Sequence, residues 1–286
     1  MGLKKAKGEY VYFFDIDDKI APNSIEKIHK IAKKKNCDYV FSDFKKFEKK
    51  KNQRKNIYNY PKNRMFSIGD IQIAMKRELY DASLGHLGLF GCNGRLIKRS
   101  LLKKNKIFFD ERLRWMEDKT FGWKVLSYVK KAFYIRKQLY YYYFHPNLKT
   151  NVTISLTKLS PLYYVGLILK NIKFSLINSK FNKKEIMTFM QQGIIFFTIQ
   201  ALVSLSNQIF LKKINKQIGI KYRRKLIKKI FENKNVTKAI NKYIPSNTES
   251  KLIPKAIKLK SIRLLESACN LRSKQIAMER RKSNEN

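Results

Sequence analysis

The stretch Gly8-Glu9-Tyr10-Val11-Tyr12-Phe13-Phe14-Asp15-Ile16-Asp17-Asp18 decides how this chain reads. Tyr10 to Phe14 are aromatic or β-branched without interruption, which predicts a strand buried on both faces, as in a parallel sheet covered by helices. Gly8, after a short lysine-bearing segment, suits a helix C-terminal stop. Asp15, Asp17 and Asp18 then fall just past the carboxyl end of the strand, where open α/β sheets bind ligands. Hard cations such as Mg²⁺ or Mn²⁺ take oxygen ligands, often one or two carboxylates plus substrate phosphates. An Asp-x-Asp suits a site where such a metal holds a diphosphate. Acidic residues after a strand also serve as turn formers and helix caps, and the tetrapeptide alone admits both readings.

Working outward, Pro22 and Asn23-Ser24 precede Ile25, Ile28, Ile31 and Ala32, spaced for one face of a helix. Residues 37–44 read as a second strand. Strand, acidic loop, helix, strand is an α/β order. About a hundred residues on, Glu117-Asp118 opens another helix. Acids there complement a helix dipole, and they are also placed to take a proton. Carboxylates are scarce in this chain, which has 63 Lys+Arg against 21 Asp+Glu.

These residues resemble a family 2 glycosyltransferase of the GT-A fold. Ala6 through Asp18, with Pro22, is similar to the family's stretch that ends in Asp-x-Asp-Asp. Arg95 to Leu102, Ile107-Phe108-Phe109 and Glu117-Asp118-Lys119-Thr120-Phe121 follow the family's later motifs in order. Tyr140 to Tyr143 and residues 145–153 are similar to its next strand and loop. The resemblance covers about residues 3–155. It implies a partial GT-A, Rossmann-like mixed sheet flanked by helices. It also implies an inverting transfer of a sugar from a nucleoside diphosphate, most often UDP, to a glycan or lipid-linked acceptor. Asp17 and Asp15 would hold Mn²⁺ or Mg²⁺, with Asp18 beside them on the donor and His145 as a further metal or diphosphate contact. Asp118 would be the general base and Glu117 its support or an acceptor contact. The family's opening strands, which hold uracil and ribose, have no counterpart here. At roughly 30 residues per βαβ unit, about 80 residues are expected ahead of Gly8. A non-catalytic remnant, or the partner of a complete transferase, is therefore the alternative expectation.

Gly85, Gly88, Gly91 and Gly94 form no phosphate loop, since no Gly-Lys-Ser/Thr follows. They predict a loop leading into a strand and turn over residues 95–100. By the resemblance, Cys92 and Asn93 border the acceptor pocket there, although the family has an aromatic residue at position 93 and a lysine at position 95.

Composition limits the rest. The chain has 286 residues, 44% of them hydrophobic, which suits a globular protein able to bury a core. Three dispersed cysteines imply no disulfide framework or zinc site. Residues 1–20 hold no secretory h-region, and Asn151-Val152-Thr153, a glycosylation sequon, has no role in a reducing cytosol. The net charge of +42 fits an anionic membrane surface, nucleic acid, or a codon bias toward lysine and asparagine. Residues 45–55 read as a solvated basic loop. Residues 212–229 interleave cations with Ile214, Ile218, Ile220, Tyr222, Leu226 and Ile227, the pattern of a basic amphipathic helix. It suits a membrane surface and equally a solvated face over a core. No nucleic-acid-binding motif stands out, so nucleic acid ranks last.

Residues 186–211 hold no charge and are long enough to span a bilayer. Gln191, Gln192, Gln200, Ser204, Ser206, Asn207 and Gln208 interrupt them, which favours a core or interfacial helix. An amphipathic helix over residues 162–177 precedes it. The expected organisation is therefore an α/β region over residues 1–155 and an all-helical, basic region over 156–286. That second region would lie against the inner face of the cytoplasmic membrane.

Overall fold

A computed structural model of the chain describes residues 2–48, 60–80, 89–113, 115–144, 160–210, 212–246 and 249–285. A short α1 (Gly2–Lys5) leads into β1 (Tyr10–Tyr12), β2 (Lys19–Ile20), α2 (Ser24–Lys35), β3 (Tyr39–Glu48), β4 (Arg64–Phe66) and α3 (Ile68–Tyr80). There follow β5 (Arg95–Lys98), α4 (Arg99–Lys104), α5 (Glu117–Leu126) and β6 (Ala132–Phe144). The six strands form one mixed sheet in the order β1-β5-β3-β6-β2, with β4 also on β6. Only the β3–β6 pair is parallel; β1–β5, β3–β5, β2–β6 and β4–β6 are antiparallel.

Period-two alternation explains why the sheet is covered on both sides. Tyr39, Phe41, Ile97 and Tyr134 point into one core, while Val40, Leu96 and Ile135 point into the other. The second face is covered by α2 through Ile28 and Ala32. α2 stops at Asn36, whose left-handed backbone (φ 47°) lets its N–H reach the carbonyls of Ala32 and Lys33. The first face is covered by α5 and by helices from the second half of the chain.

Three sequence expectations are corrected here. β1 does place side chains on both faces, with Val11 and Phe13 on one core and Tyr10 and Tyr12 on the other. Yet it is half-buried and, among the described residues, pairs on one side alone, antiparallel to β5. An apolar run alone therefore does not set how a strand pairs. The helix before it ends at Lys5 rather than at Gly8. Lys45 and Lys46, expected in a loop, continue β3, because the parallel ladder to β6 runs on to Glu48 opposite Phe144. Positions 49–55, Gly85 and Gly88, His145 and the Asn151–Thr153 sequon lie outside the described residues.

The second half is helical: α6 (Pro161–Asn178), α7 (Lys183–Phe210), α8 (Lys216–Glu232), α9 (Lys234–Ile240), α10 (Leu252–Lys258) and α11 (Ile262–Glu285). Ser160 caps α6 by accepting from the N–H of Leu162, and Pro161 takes the first helical position. The core does not divide at residue 155. Tyr164, Ile168, Ile172, Phe189 and Phe197 belong to the same core as Tyr39 and Phe121. A separate core joins the later part of α7 to α8–α11 through Leu202, Ile227, Ile253 and Leu265.

α7 is long and apolar enough to cross a membrane, with a mean hydropathy of 1.5 in its most apolar window. It packs on α6, α8, α9 and α11, and just over half of that window, 56%, is buried. A helix apolar all round belongs in a core or a bilayer, and its polar residues favour the core. Gln192 donates to the Lys242 carbonyl at 2.8 Å and accepts from the Ile244 N–H at 3.1 Å. Ser206 accepts from the buried Arg223 at 3.0 Å.

Candidate active site

An open cleft of about 680 Å³ lies where β1 and β6 meet the start of α5. Phe13, just past β1, bridges to Asn93; its carbonyl accepts from the Gly94 N–H at 2.9 Å. Gly94 has φ +70°, and a Cβ there would press on the Tyr140 ring, so glycine fits this position for two reasons. The chain then leaves the sheet, and Asp15 enters the cleft wall.

Tyr140 on β6 fastens the acidic turn. Its hydroxyl accepts from the Asp15 N–H at 3.3 Å and donates to an Asp18 carboxylate oxygen at 2.5 Å. The other Asp18 oxygen accepts from the Tyr143 N–H at 2.9 Å. Asp18 is 5% exposed, so its carboxylate is turned into the fold and holds the turn rather than facing the cleft. The Asp18 N–H bonds back to the Asp15 carbonyl at 3.1 Å. Ile16 and Asp17 are left outside, Ile16 almost fully exposed and Asp17 exposed.

The opposite wall is α5. Met116 takes a left-handed backbone (φ 61°) just before it, which places Glu117 and Asp118 in the first turn with both side chains exposed. Acids there meet the positive end of the helix dipole. Asp118 accepts from the Lys119 N–H at 2.7 Å. Gly122, one turn further, touches the loop across from it: a Cβ would collide with the Phe90 carbonyl. The same loop carries Cys92 and Asn93, and the Asn93 amide donates to the Asp15 carboxylate. Phe13, Phe109 and Phe121 stack beneath, with Phe109 and Phe121 parallel at 4.1 Å between centroids.

Thus residues 103 positions apart, Asp15 and Asp118, share one cavity. The shared field follows from this proximity. Burial pushes the Asp15 carboxyl above its ordinary range, as do the charges of Asp18 and Asp17 and then of Asp118; the Asn93 bond offsets part of this. The Cys92 thiol is pushed up to about 12 by burial and then by Asp118 and Asp15. Burial and the same four aspartates raise Tyr142.

Among the described residues, no lysine or arginine forms an ion pair with Asp15, Asp17 or Asp118. Lys119 lines the cleft but bonds Glu78 at 3.1 Å. Arg95 lines the same cleft. Among the described residues Asp15 and Asp118 are ion-paired with neither of these two cations, and that leaves room for a ligand's. Among the described residues, no three His, Cys, Asp or Glu side chains gather closely enough to hold a metal by themselves. The donor set is one or two carboxylates, which suits a Mg²⁺ or Mn²⁺ that also takes oxygens from a bound phosphate.

The cleft brings together Asp15, Glu117 and Asp118, with Cys92 and Asn93 between them. Asp17, exposed, is not among the residues that line it, and Asp18 is turned inward. Sequence reasoning missed Tyr140 as the staple of the turn, Arg95 and Trp115 as lining residues, and the phenylalanine floor. Tyr140 carried a signal in the aromatic run Tyr140–Tyr143, which announced a strand but not which ring would reach back to Asp15.

Residues 1–106 match the profile of Glycosyl transferase family 2. The chain is 26% identical over 144 residues to glycosyltransferase GlyG of Streptococcus pneumoniae, covering 50% of this chain and 46% of that protein. It is 29% identical over 143 residues to the poly(ribitol-phosphate) beta-N-acetylglucosaminyltransferase TarP of Staphylococcus aureus, covering 50% and 38%. It therefore spans less than half the length of these curated relatives. Among solved structures it superposes on S. aureus TarS 1–349 in complex with UDP-GlcNAc with a TM-score of 0.59 and 16% identity, over 96% of this chain and 70% of the other. The UDP complex of the same protein gives a TM-score of 0.57. At that identity the likeness is one of fold.

Proposed function

We propose that this chain, which carries a glycosyl transferase family 2 domain in residues 1–106, moves a sugar with inversion from a nucleoside diphosphate to a hydroxyl of a cell-surface glycan or lipid-linked acceptor. The observation that carries this reading is the meeting of Asp15 and Asp118 in one cleft, with no ion pair from a lysine or arginine to either among the described residues.

In this reading Asp15 and Asp17 would hold Mn²⁺ or Mg²⁺, which would supply positive charge for the leaving diphosphate. Asn93 orients the Asp15 carboxylate, and Tyr140 and Asp18 keep the turn in place. Asp118 accepts the proton of the acceptor hydroxyl. The freed oxygen bonds the anomeric carbon from the face opposite the diphosphate as the bond to the diphosphate breaks. Glu117 stands beside the base, toward the acceptor. The aromatic floor supplies an apolar face on which a sugar ring or base can lie. UDP-sugar is the favoured donor, since TarS, which shares the fold, is described with UDP-GlcNAc and with UDP.

The charge of +42 suits an anionic acceptor, as the name of TarP suggests for that relative. It also suits docking at the inner membrane face, where lipid-linked acceptors lie. On α8, Lys221, Arg224, Lys225 and Lys228 line one shallow groove, while Leu226, Ile227 and Ile230 face the core. Anionic lipids attract such cations by about 1 kcal/mol per residue.

Calorimetric titration of the purified chain with UDP and Mn²⁺ tests the site. Binding that disappears with Asp17→Ala or on chelation supports it. A folded chain that binds no UDP in Mn²⁺ would overturn catalysis by this polypeptide alone and favour a non-catalytic role beside a complete transferase.

A further inference from the structure

A second cavity, of about 320 Å³, opens between the end of α7, the start of α8 and α11. It shares no lining residue with the cleft. Its polar wall is Lys212, Lys216, Arg223, Asn270 and Lys274, and no acid lines it. Exposed lysines alone would mean little in a chain of net charge +42. Arg223 differs from them, being only 4% exposed. A guanidinium is buried at a cost unless its donors are met. Its Nη1 donates to Ser206 on α7 at 3.0 Å and to Asn270 on α11 at 2.7 Å, and its Nη2 reaches Glu266 at 3.4 Å. Its Nε is buried and finds no acceptor among the described residues.

The counter-charge around this arginine is thin. Glu266 also takes Arg224 at 3.0 Å, so one carboxylate serves two guanidiniums. Lys212, Lys216 and Lys274 stand exposed, and none of them is ion-paired among the described residues. Asn270 spends its side-chain oxygen on Arg223, which leaves its amide N–H groups for the cavity. Lysine and arginine hold donors and no acceptor. Every polar side chain on the wall therefore has donors to offer and no acceptor to spare. The rest of the wall is apolar, from Ile209, Phe210 and Ile220.

We infer that this cavity binds a phosphate ester. Arg223 forms its base, the three lysines surround the phosphate, and the organic part lies against Phe210 and Ile220. Phosphate has charge enough to answer several cations and oxygens enough to accept from several donors at once, which one carboxylate lacks. The volume suits a phosphate with a small substituent. Ile220 also borders the groove that carries Lys221, Arg224, Lys225 and Lys228, so a soluble ester and a lipid headgroup both have a route to the cavity. The inference does not rest on the transferase reading and uses none of its residues.

Calorimetric titration of the full chain with glycerol phosphate, free of divalent metal, tests it. One equivalent should bind saturably, with a millimolar or tighter Kd. Lys216→Gln and Lys274→Gln, both at exposed positions, should each weaken binding about tenfold. Lys225→Gln, in the neighbouring groove, should change it by less than about twofold, since salt screens exposed charges that make no contact. Arg223→Lys keeps the charge, loses the fork and should weaken binding further; if that variant does not fold, the lysine variants carry the test. Vesicles of phosphatidylglycerol, set against phosphatidylcholine, separate the two sources. Vesicle binding that glycerol phosphate displaces and Lys274→Gln weakens assigns the cavity to headgroups; vesicle binding indifferent to both assigns it to a soluble ester. Absence of saturable binding to the folded chain would overturn the inference. So would an equal loss from Lys225→Gln, because the lysines would then act only as diffuse charge.

Discussion

The two halves of the molecule treat their few carboxylates differently. In the helical half, Glu185 pairs with Lys76 at 2.6 Å, Glu249 accepts from Tyr243, and Glu266 takes both Arg223 and Arg224. In the α/β half some acids are spent the same way, as with Glu9 and Lys33 or Asp110 and Arg112. Asp15, Asp17 and Asp118 are not. Stabilising carboxylates here take a cation or, like Asp18 and Glu249, a tyrosine hydroxyl. In the cleft Arg95 and Lys119 stand in the same walls as Asp15 and Asp118, yet among the described residues neither is ion-paired with them, Lys119 being drawn to Glu78. Stability and ligand chemistry therefore occupy separate places, and substitutions should separate them too.

The largest expected effect is on transfer. Asp118→Asn should lower the turnover of a transfer-competent form by about 10²–10⁴-fold, the usual worth of a positioned general base, with an unchanged melting temperature. A melting shift as large as that of a core substitution would erase the distinction between the halves. Leu202→Ala, at a fully buried position of the second core, should cost about 2–5 kcal/mol in denaturant unfolding and leave UDP affinity in the folded protein unaltered.

Asp18→Ala sits between the two classes. It strands the Tyr140 hydroxyl and the Tyr143 N–H, at a cost of about 1–3 kcal/mol, and it should weaken UDP·Mn²⁺ binding as the turn loosens. Loss of stability without loss of binding would show that the turn is held by β2 alone. Lys225→Glu and Lys228→Glu should each weaken binding to vesicles rich in phosphatidylglycerol by about 1 kcal/mol per charge removed, with no effect on nucleotide affinity.

The smallest effect carries a sign. The Asp15 carboxyl is held above its ordinary range, so the fold favours its protonated form. Its ionisation therefore costs stability as pH rises through the folded value, and that cost is absent below the unfolded value. Asp15→Asn should melt at or above the wild-type temperature at pH 7, with the difference vanishing toward pH 4. Added Mn²⁺ should raise the melting temperature of the wild type and not of the variant. A variant less stable at pH 7 would mean that Asp15 holds the fold instead of serving a ligand.

Much of the architecture was legible because it rests on period. The strand over residues 37–44, the spacing of Ile28 and Ala32, and the uncharged run of α7 each announced their elements. The Asp15–Asp18 turn and the Glu117-Asp118 helix start were legible as acids at element ends. Period could not say that β1 pairs on one side alone among the described residues, since a run of Tyr, Val and Phe reads alike in the middle of a sheet and at its margin. Nor could it separate the three aspartates of the turn. Asp18 is assigned inward only by Tyr140, 122 positions away, a contact made by topology rather than by local pattern. Lys45 and Lys46 read as loop because charge outweighed Phe44 and Phe47 on either side of them, whereas the ladder to β6 carries them along.

The packing of Gly122 against the Phe90 carbonyl reaches beyond stability. It ties the helix bearing Asp118 to the loop bearing Asn93, and so fixes the gap between the two acidic walls as the jaws of a calliper are fixed by a locked screw. A cleft of set width selects by what fits between its jaws, not by how far it opens. New acceptor preferences in relatives sharing this contact should then arise by exchanging side chains on the jaws, such as Trp115 or Asn93, while the backbone spacing stays inherited.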